Sequence, residues 1–123
     1  MKSILIKDGR IMAYDFDYKG IDSIYNLLGF DCFDVATRTI GGHKVSIYCD
    51  DEGCFKTPLV PSIACVDKDG TIQNCIFGNV LIVNHDYDGN MIGLTSKELL
   101  DVYSSQGVVK DDNGLHNVVV ARC

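Results

Sequence analysis

The sequence predicts an α+β domain in which two short helices pack on a mostly antiparallel sheet of hairpins. Two kinds of observation predict this class. Glycine-containing turns separate short strand-like runs along the chain, which is typical of a sheet built from hairpins. Two other segments carry apolar residues at helical spacing. With 123 residues and 46% apolar side chains, the chain is expected to form a single domain over residues 1–123 with a core of its own.

The chain is expected to begin with a hairpin and a helix. Asp8-Gly9 lies between the strand-like runs Ile4–Ile6 and Arg10–Phe16, and this residue pair favours a two-residue hairpin turn. Apolar residues at positions i, i+3, i+4 and i+7 then predict a short amphipathic helix over Ile21–Leu28. Gly29 follows where a left-handed helix cap is expected.

A second hairpin is predicted next, followed by a loop. Cys32–Thr39 and Lys44–Cys49 are strand-like and are joined by a glycine-rich turn, and the second run alternates apolar and polar residues. From Phe55 to Ser62 this pattern ends. Pro58 and Pro61 each lack a backbone N–H, so we expect an irregular surface loop there rather than a central strand.

The following segment predicts the interior of the sheet. Ile63–Val66 and Thr71–Ile76 flank the turn Asp67–Gly70, which predicts a third pair of strands. Val80–Val83 is apolar at every position, as in a strand that is covered on both faces. We therefore place this last run at the centre of the sheet.

The second helix has the stronger terminal signal. Thr95 followed by Glu98 is a capping box, and it predicts a helix over about Ser96–Ser105 that Gly107 closes. A C-terminal hairpin is then expected over residues 108–121.

The charge balance disfavours one class of partner. Seventeen acidic and eleven basic residues give a formal net charge of −6, which argues against direct binding of nucleic acid. No run is long and apolar enough for a membrane span, and no signal peptide is recognisable, so a cytoplasmic protein without membrane contact is expected. The acidic pairs fit solvated turns, and they also fit a row of charges that imitates a phosphate backbone for a basic partner.

Metal sites are not expected. Most of the six cysteines lie in apolar segments and are expected to be reduced core thiols. A zinc site from His43, Cys49 and Cys54 would lack the two-residue spacing of structural zinc sites. The calcium-like string that begins at Asp86 fails as an EF-hand, because Met91 occupies the position of the required glycine. No cofactor is expected either.

Evidence for an enzyme is also weak. None of the sequence motifs of nucleotide hydrolysis, dinucleotide binding or zinc proteolysis is present. The remaining enzymatic alternative is a nucleophilic Cys54 activated by His43 or His85. We therefore expect a protein that is not an enzyme.

Three segments carry a family resemblance. Leu59–Ile72, then Ile76–Val83, then Leu94-Thr95 at the start of a helix, together resemble the DUF3846 family in order and spacing. The resemblance covers about residues 4–103 and leaves the hairpin 108–121 outside this family-like core. It implies an accessory protein of Gram-positive bacteria, their phages or their mobile elements, and it transfers no catalytic residue.

The resemblance implies a binding function. The leading hypothesis is a non-enzymatic phage or mobile-element protein that binds and inhibits a host protein, such as a CRISPR-type defence nuclease. One alternative is a nucleotide or metabolite binder whose pocket joins the proline loop, Gly41-Gly42 and the loop Asn84–Asn90 across a homodimer. A structural domain is the other alternative. The oligomeric state stays open.

Exposed acids and aromatics near turns are the candidate interface residues, because tyrosine and phenylalanine often anchor protein interfaces. They are Asp50, Asp51, Glu52, Phe55, Asp86, Tyr87 and Asp88.

Overall fold

The computed structural model describes residues 1–30, 32–51 and 60–123 and shows an α+β protein with two short helices. The elements in chain order are β1 (Lys2–Lys7), β2 (Arg10–Asp15), α1 (Ile21–Leu28), β3 (Phe33–Ile40), β4 (His43–Asp50), β5 (Pro61–Val66), β6 (Ile72–Phe77), β7 (Val80–His85), β8 (Met91–Ile92), α2 (Ser96–Ser104), β9 (Gln106–Asp111) and β10 (Gly114–Arg122). Among the described residues, no helix is long and apolar enough to cross a membrane.

The strands form one mixed sheet. Its main path runs β2-β1-β7-β4-β3-β10-β5-β6, with β8 beside β7 and β9 beside β10. The pair β5–β10 is parallel, with Val119 opposite Ile63, and the other described pairs are antiparallel. The α+β class is confirmed, but the sheet is not made of antiparallel hairpins alone. The parallel pair arises because β10 returns between β3 and β5 instead of staying at an edge.

The predicted hairpins are confirmed. β1 and β2 pair from Lys7↔Arg10 outward, and Asp8 (φ 52°) and Gly9 (φ 79°) both take the positive φ that a type I′ turn requires. The pairs β3–β4, β5–β6 and β9–β10 form in the same local way. The run Val80–Val83 lies in β7, which is buried and has β1 and β4 as neighbours.

Both predicted helices are present. Gly29 ends α1 in the left-handed conformation and donates its N–H to the Tyr25 carbonyl. The capping box at the start of α2 is complete. The expected closure of α2 by Gly107 is wrong, because Ser105 caps the helix. The Ser105 carbonyl accepts the N–H of Val120 at 2.7 Å, so the chain is already pairing as a strand when it reaches Gly107.

The proline loop is shorter than expected at its C-terminal end. Pro61 and Ser62 are buried residues of β5. Proline is tolerated there because it is the first residue of the strand. The earlier part of the expected loop, residues 55–59, lies outside the described residues.

Two apolar clusters lie on opposite faces of the central strands, as the period of two along a strand requires. On the face that α1 covers, Leu5 of β1 packs with Ile24 and Leu28. We call this the α1 face. On the other face, Ile4 and Ile6 pack with residues of α2, β5 and β10; we call it the α2 face. Its buried side chains are Ile4, Ile6, Ile40, Val45, Ile47, Cys49, Ile63, Cys65, Val80, Ile82, Leu94, Val102, Val119 and Ala121.

Candidate functional site

The strand β2 ends the sheet on one side and has a free backbone edge. Met1 and Phe16 form a hydrogen-bonded pair, with backbone bonds of 2.7 and 2.9 Å. In an antiparallel pair of strands, hydrogen-bonded and non-hydrogen-bonded residue pairs alternate, and this alternation continues along β1 and β2. The N–H and C=O groups of Ile11, Ala13 and Asp15 therefore point away from β1. No described residue bonds these six groups. β10 approaches the Arg10 end of this edge, where Asn117 lines the same groove, and the edge is open to an added strand from there towards Asp15.

An apolar groove lies alongside this edge. Its middle part, about 330 Å³, lies between β2 and α2. It continues past Gln106 and Asn117 at one end, with about 450 Å³, and past Met1 and Lys2 at the other, with about 470 Å³. Neighbouring parts share lining residues, so the groove follows the whole strand. We define this edge groove by Ile11, Met12, Ala13, Leu99, Leu100 and Tyr103.

The α2 wall of the edge groove exposes apolar side chains. Leu100 is 64% exposed and Tyr103 is 42% exposed, whereas Val102 of the same helix is fully buried. Residues three apart share a helix face, so Leu100 and Tyr103 form a second apolar face that the fold leaves uncovered. Continuous apolar surface of this kind is typical of binding sites.

Polar contacts hold α2 in position. His43 Nε2 donates to Asp101 Oδ2 at 2.7 Å, and Lys97 Nζ lies 3.1 Å from the same oxygen. These two donors hold the pKa of the Asp101 carboxyl below its usual value of 3.8. Gly41 lies so close to the helix that a Cβ atom there would be 2.6 Å from the Asp101 carbonyl oxygen. The β3–β4 turn therefore fixes the wall of the edge groove.

The described residues among those proposed for an interface form two separate groups, Asp50 and Asp51 in one and Asp86–Asp88 in the other. Asp50 and Asp51 follow Cys49, which pairs with Val80 at the start of β7, whereas the acids around Tyr87 follow the end of β7. About seven residues of strand separate the two groups, which is roughly 20 Å. Glu52 and Phe55 lie outside the described residues.

The Asp86–Asp88 segment is a self-contained turn. The Asp86 carboxylate accepts the N–H groups of Asp88 and Asn90, both at 2.9 Å, and these bonds lower its pKa. Tyr87 is fully exposed. Asp67 holds its own turn in the same way. At these two positions the acids act as turn residues.

A buried polar network joins β4 to β7 on the α1 face. The imidazole of His85 bonds the Tyr48 hydroxyl at 2.7 Å and the Ser46 hydroxyl at 2.8 Å. Burial raises the pKa of Tyr48. Ser46 and Tyr48 are each only 8% exposed, so neither hydroxyl is open to a substrate. The network connects strands, and it occupies one of the two histidines that were candidate bases for Cys54.

The expectation that most cysteines are core thiols is confirmed for Cys49 and Cys65 and is wrong for Cys32. Cys49 and Cys65 are buried, and burial raises the pKa of Cys49 to about 11, far from that of an activated nucleophile. Cys32 and Cys123 are exposed. Cys54, the nucleophile of the enzymatic alternative, lies outside the described residues. No group of three or more potential metal ligands occurs in residues 1–30, 32–51 and 60–123.

Within one chain, the described parts of the pocket expected for the nucleotide-binding alternative do not form a single cavity. Gly41 packs on the α2 backbone, so its missing side chain makes room for a helix rather than for a phosphate. Val60 and Ser62 line a groove together with Gly78 and Asn79, just before the start of β7. The loop Asn84–Asn90 lies at the opposite end of β7.

The fold and the edge groove define an α+β protein with an open sheet edge beside an apolar helix. The chain belongs to the DUF3846 family, described as a domain of unknown function, which it matches over residues 1–106. No curated protein and no solved structure matches the chain significantly. The match ends at the start of β9 and does not include β10, although β10 is an interior strand of the sheet, between β3 and β5.

The edge groove was not predicted from the sequence. A signal was available in α2, where Leu99, Leu100, Val102 and Tyr103 are more apolar residues than one buried face of a nine-residue helix needs. That excess marks a helix with two apolar faces. Which element lies opposite the second face depends on the tertiary fold.

Proposed function

We propose that this protein is a non-enzymatic binding protein that takes up an extended segment of a partner protein along β2. The observation that carries the proposal is the free backbone edge of Ile11, Ala13 and Asp15 beside an open apolar groove. Strand addition uses such an edge for main-chain hydrogen bonds and such a groove for alternate side chains.

The geometry favours an extended peptide over a compact ligand. β2 has six residues, and at about 3.3 Å per residue the edge is roughly 20 Å long. A strand paired with β2 would place every second side chain on the α2 face, against Leu99, Leu100 and Tyr103. The expected partner segment therefore alternates apolar and polar residues.

The kind of partner is part of the proposal and is taken from what the family resemblance implies. A host protein, with a CRISPR-type defence nuclease as the leading example, is the partner that an accessory protein of a phage or mobile element would bind in the bacterial cytoplasm. A second copy of the chain is the alternative occupant of the edge.

Two exposed leucines provide a matched test. Leu100 (64% exposed) lies in the edge groove, and Leu115 (72% exposed) lies at the start of β10 and does not line it. Tagged wild-type protein, Leu100→Glu and Leu115→Glu would be used to capture proteins from a host lysate, with quantification by mass spectrometry. The proposal expects a partner that Leu115→Glu retains and Leu100→Glu loses.

A backbone variant completes the test. Ala13→Pro removes one free edge N–H without removing a β1 bond, because proline is tolerated at the solvent side of an edge strand. It should keep the thermal midpoint near that of the wild type and lose the same partner. If captured proteins bind both groove variants as well as wild type, the proposal is wrong. If wild-type protein sediments as a dimer and the Ala13→Pro variant sediments as a monomer, the edge binds a second copy of the chain instead.

A further inference from the structure

A second groove gathers basic side chains of this acidic protein. It has a volume of about 380 Å³ and lies where β3, β4, β6 and β10 contribute side chains. We call it the basic groove and define it by its polar lining residues, Thr37, Arg38, Thr39, Lys44, Asn74 and Arg122. It shares no residue with the edge groove.

The sheet register places two of the cations on either side of a threonine. Thr39 pairs with Lys44 of β4 and also with Arg122 of β10. Directly paired residues point to the same face, so Lys44 and Arg122 extend from one face about 10 Å apart, which is two strand spacings. Both side chains are long enough to reach a common anion above Thr39.

The arginines of this groove have neutral partners among the residues that the structure describes. Arg38 donates its Nε to Cys65 Sγ at 3.4 Å and its Nη1 to the Thr37 carbonyl at 2.9 Å. Arg122 Nη1 donates to the Asp67 carbonyl oxygen at 3.3 Å. These acceptors carry no formal charge, and no described carboxylate forms an ion pair with Arg38, Lys44 or Arg122. The neutral contacts orient the guanidinium groups and leave their charge available.

We propose that the basic groove binds the phosphate group of a small phosphate ester. Arginine and lysine supply charge-assisted hydrogen bonds to phosphate oxygens, and threonine hydroxyls and an asparagine amide add neutral donors. The volume lies at the small end of ligand pockets and fits a ligand of about mononucleotide size. A polyanion would be repelled by the net charge of −6 along its length, whereas a small ligand meets mainly the local cations.

Titration calorimetry on the whole chain tests this inference, with inorganic phosphate and adenosine monophosphate as separate probes at low salt. Lys44→Gln and Arg122→Gln should each weaken binding about tenfold or more, because each removes a charged contact to phosphate. Lys110→Gln is the matched control, since Lys110 is an exposed lysine of β9 that does not line the groove. It should change affinity less than about twofold.

The two probes separate the possible sources of the phosphate. Tighter binding of adenosine monophosphate assigns a phosphate ester that also contacts the groove through its organic part. Equal loss of affinity in Lys110→Gln would show a general charge effect and overturn the site. Binding of neither probe, or a clear preference for a single-stranded oligonucleotide, would overturn the proposal as well.

Discussion

Two adjacent glycines of the β3–β4 turn differ in what they contact. Gly41 (φ 58°) and Gly42 (φ 84°) both have left-handed backbone conformations. A Cβ atom at Gly41 would lie 2.6 Å from the carbonyl oxygen and 2.9 Å from the carbonyl carbon of Asp101, whereas a Cβ atom at Gly42 would have no neighbour within 4 Å. Alanine at Gly41 must therefore displace α2, and alanine at Gly42 need not.

The expected losses of stability follow from these contacts. A left-handed alanine costs about 1–2 kcal/mol in either position. Overpacking against the Asp101 backbone adds about 1–3 kcal/mol for Gly41→Ala only. At roughly 4 °C per kcal/mol for a chain of this length, Gly42→Ala should lower Tm by about 4–8 °C and Gly41→Ala by about 8–20 °C.

Urea unfolding followed by circular dichroism measures the difference between the two variants. Both should unfold with the wild-type slope in urea, so that the shift in midpoint reports stability alone. Amide chemical shifts give a second observable, because only Gly41→Ala should move the signals of α2. Equal losses in the two variants, or unmoved α2 signals in Gly41→Ala, would refute the close contact between the turn and the helix.

Two further predictions concern pH and thiol chemistry. Hydrogen bonds from N–H donors lower the pKa of five aspartates below 3.8, namely Asp15, Asp67, Asp86, Asp101 and Asp111. The ionised carboxylates stabilise the fold fully at pH values above their unfolded-state pKa, and this stabilisation disappears as pH falls through their lower folded-state pKa values. The free energy of unfolding should therefore drop below about pH 4. A free energy of unfolding that stays constant between pH 5 and pH 2 would contradict this. At pH 8, iodoacetamide should label the exposed Cys32 well before Cys49, because burial raises the pKa of the Cys49 thiol to about 11. Peptide mass spectrometry measures the two labelling rates, and equal rates would contradict the burial of Cys49.

Local features of the sequence predicted local structure well. The Asp8-Gly9 hairpin and the capping box at Thr95 both form, because their determinants lie within four residues along the chain. The end of α2 was predicted less well. Gly107 has the composition of a helix cap, but the bond between Val120 and Ser105 starts the next strand before it.

Long-range order was not predictable in the same way. Nothing in the apolar pattern of β10 shows that it enters between β3 and β5 with one parallel pairing, because its alternation fits several neighbours. Both grooves depend on that order. Thr39 has Arg122 beside it only because β10 pairs there with β3, and Asn117 of β10 lines one end of the edge groove.

The net charge of the whole chain is a poor guide to the charge at one binding site. The −6 of the whole chain argues against a polyanion, because each added phosphate of a long ligand meets the same long-range repulsion. A single phosphate meets a local field instead, and above Thr39 that field comes mainly from Lys44 and Arg122, because Arg38 is the next residue of β3 and points to the other face, where it contacts Cys65. The two grooves share no lining residue, and Asn117 and Arg122, which β10 contributes to one groove each, are five residues or roughly 15 Å apart, so charge substitutions in the basic groove should leave partner binding at the edge groove unchanged.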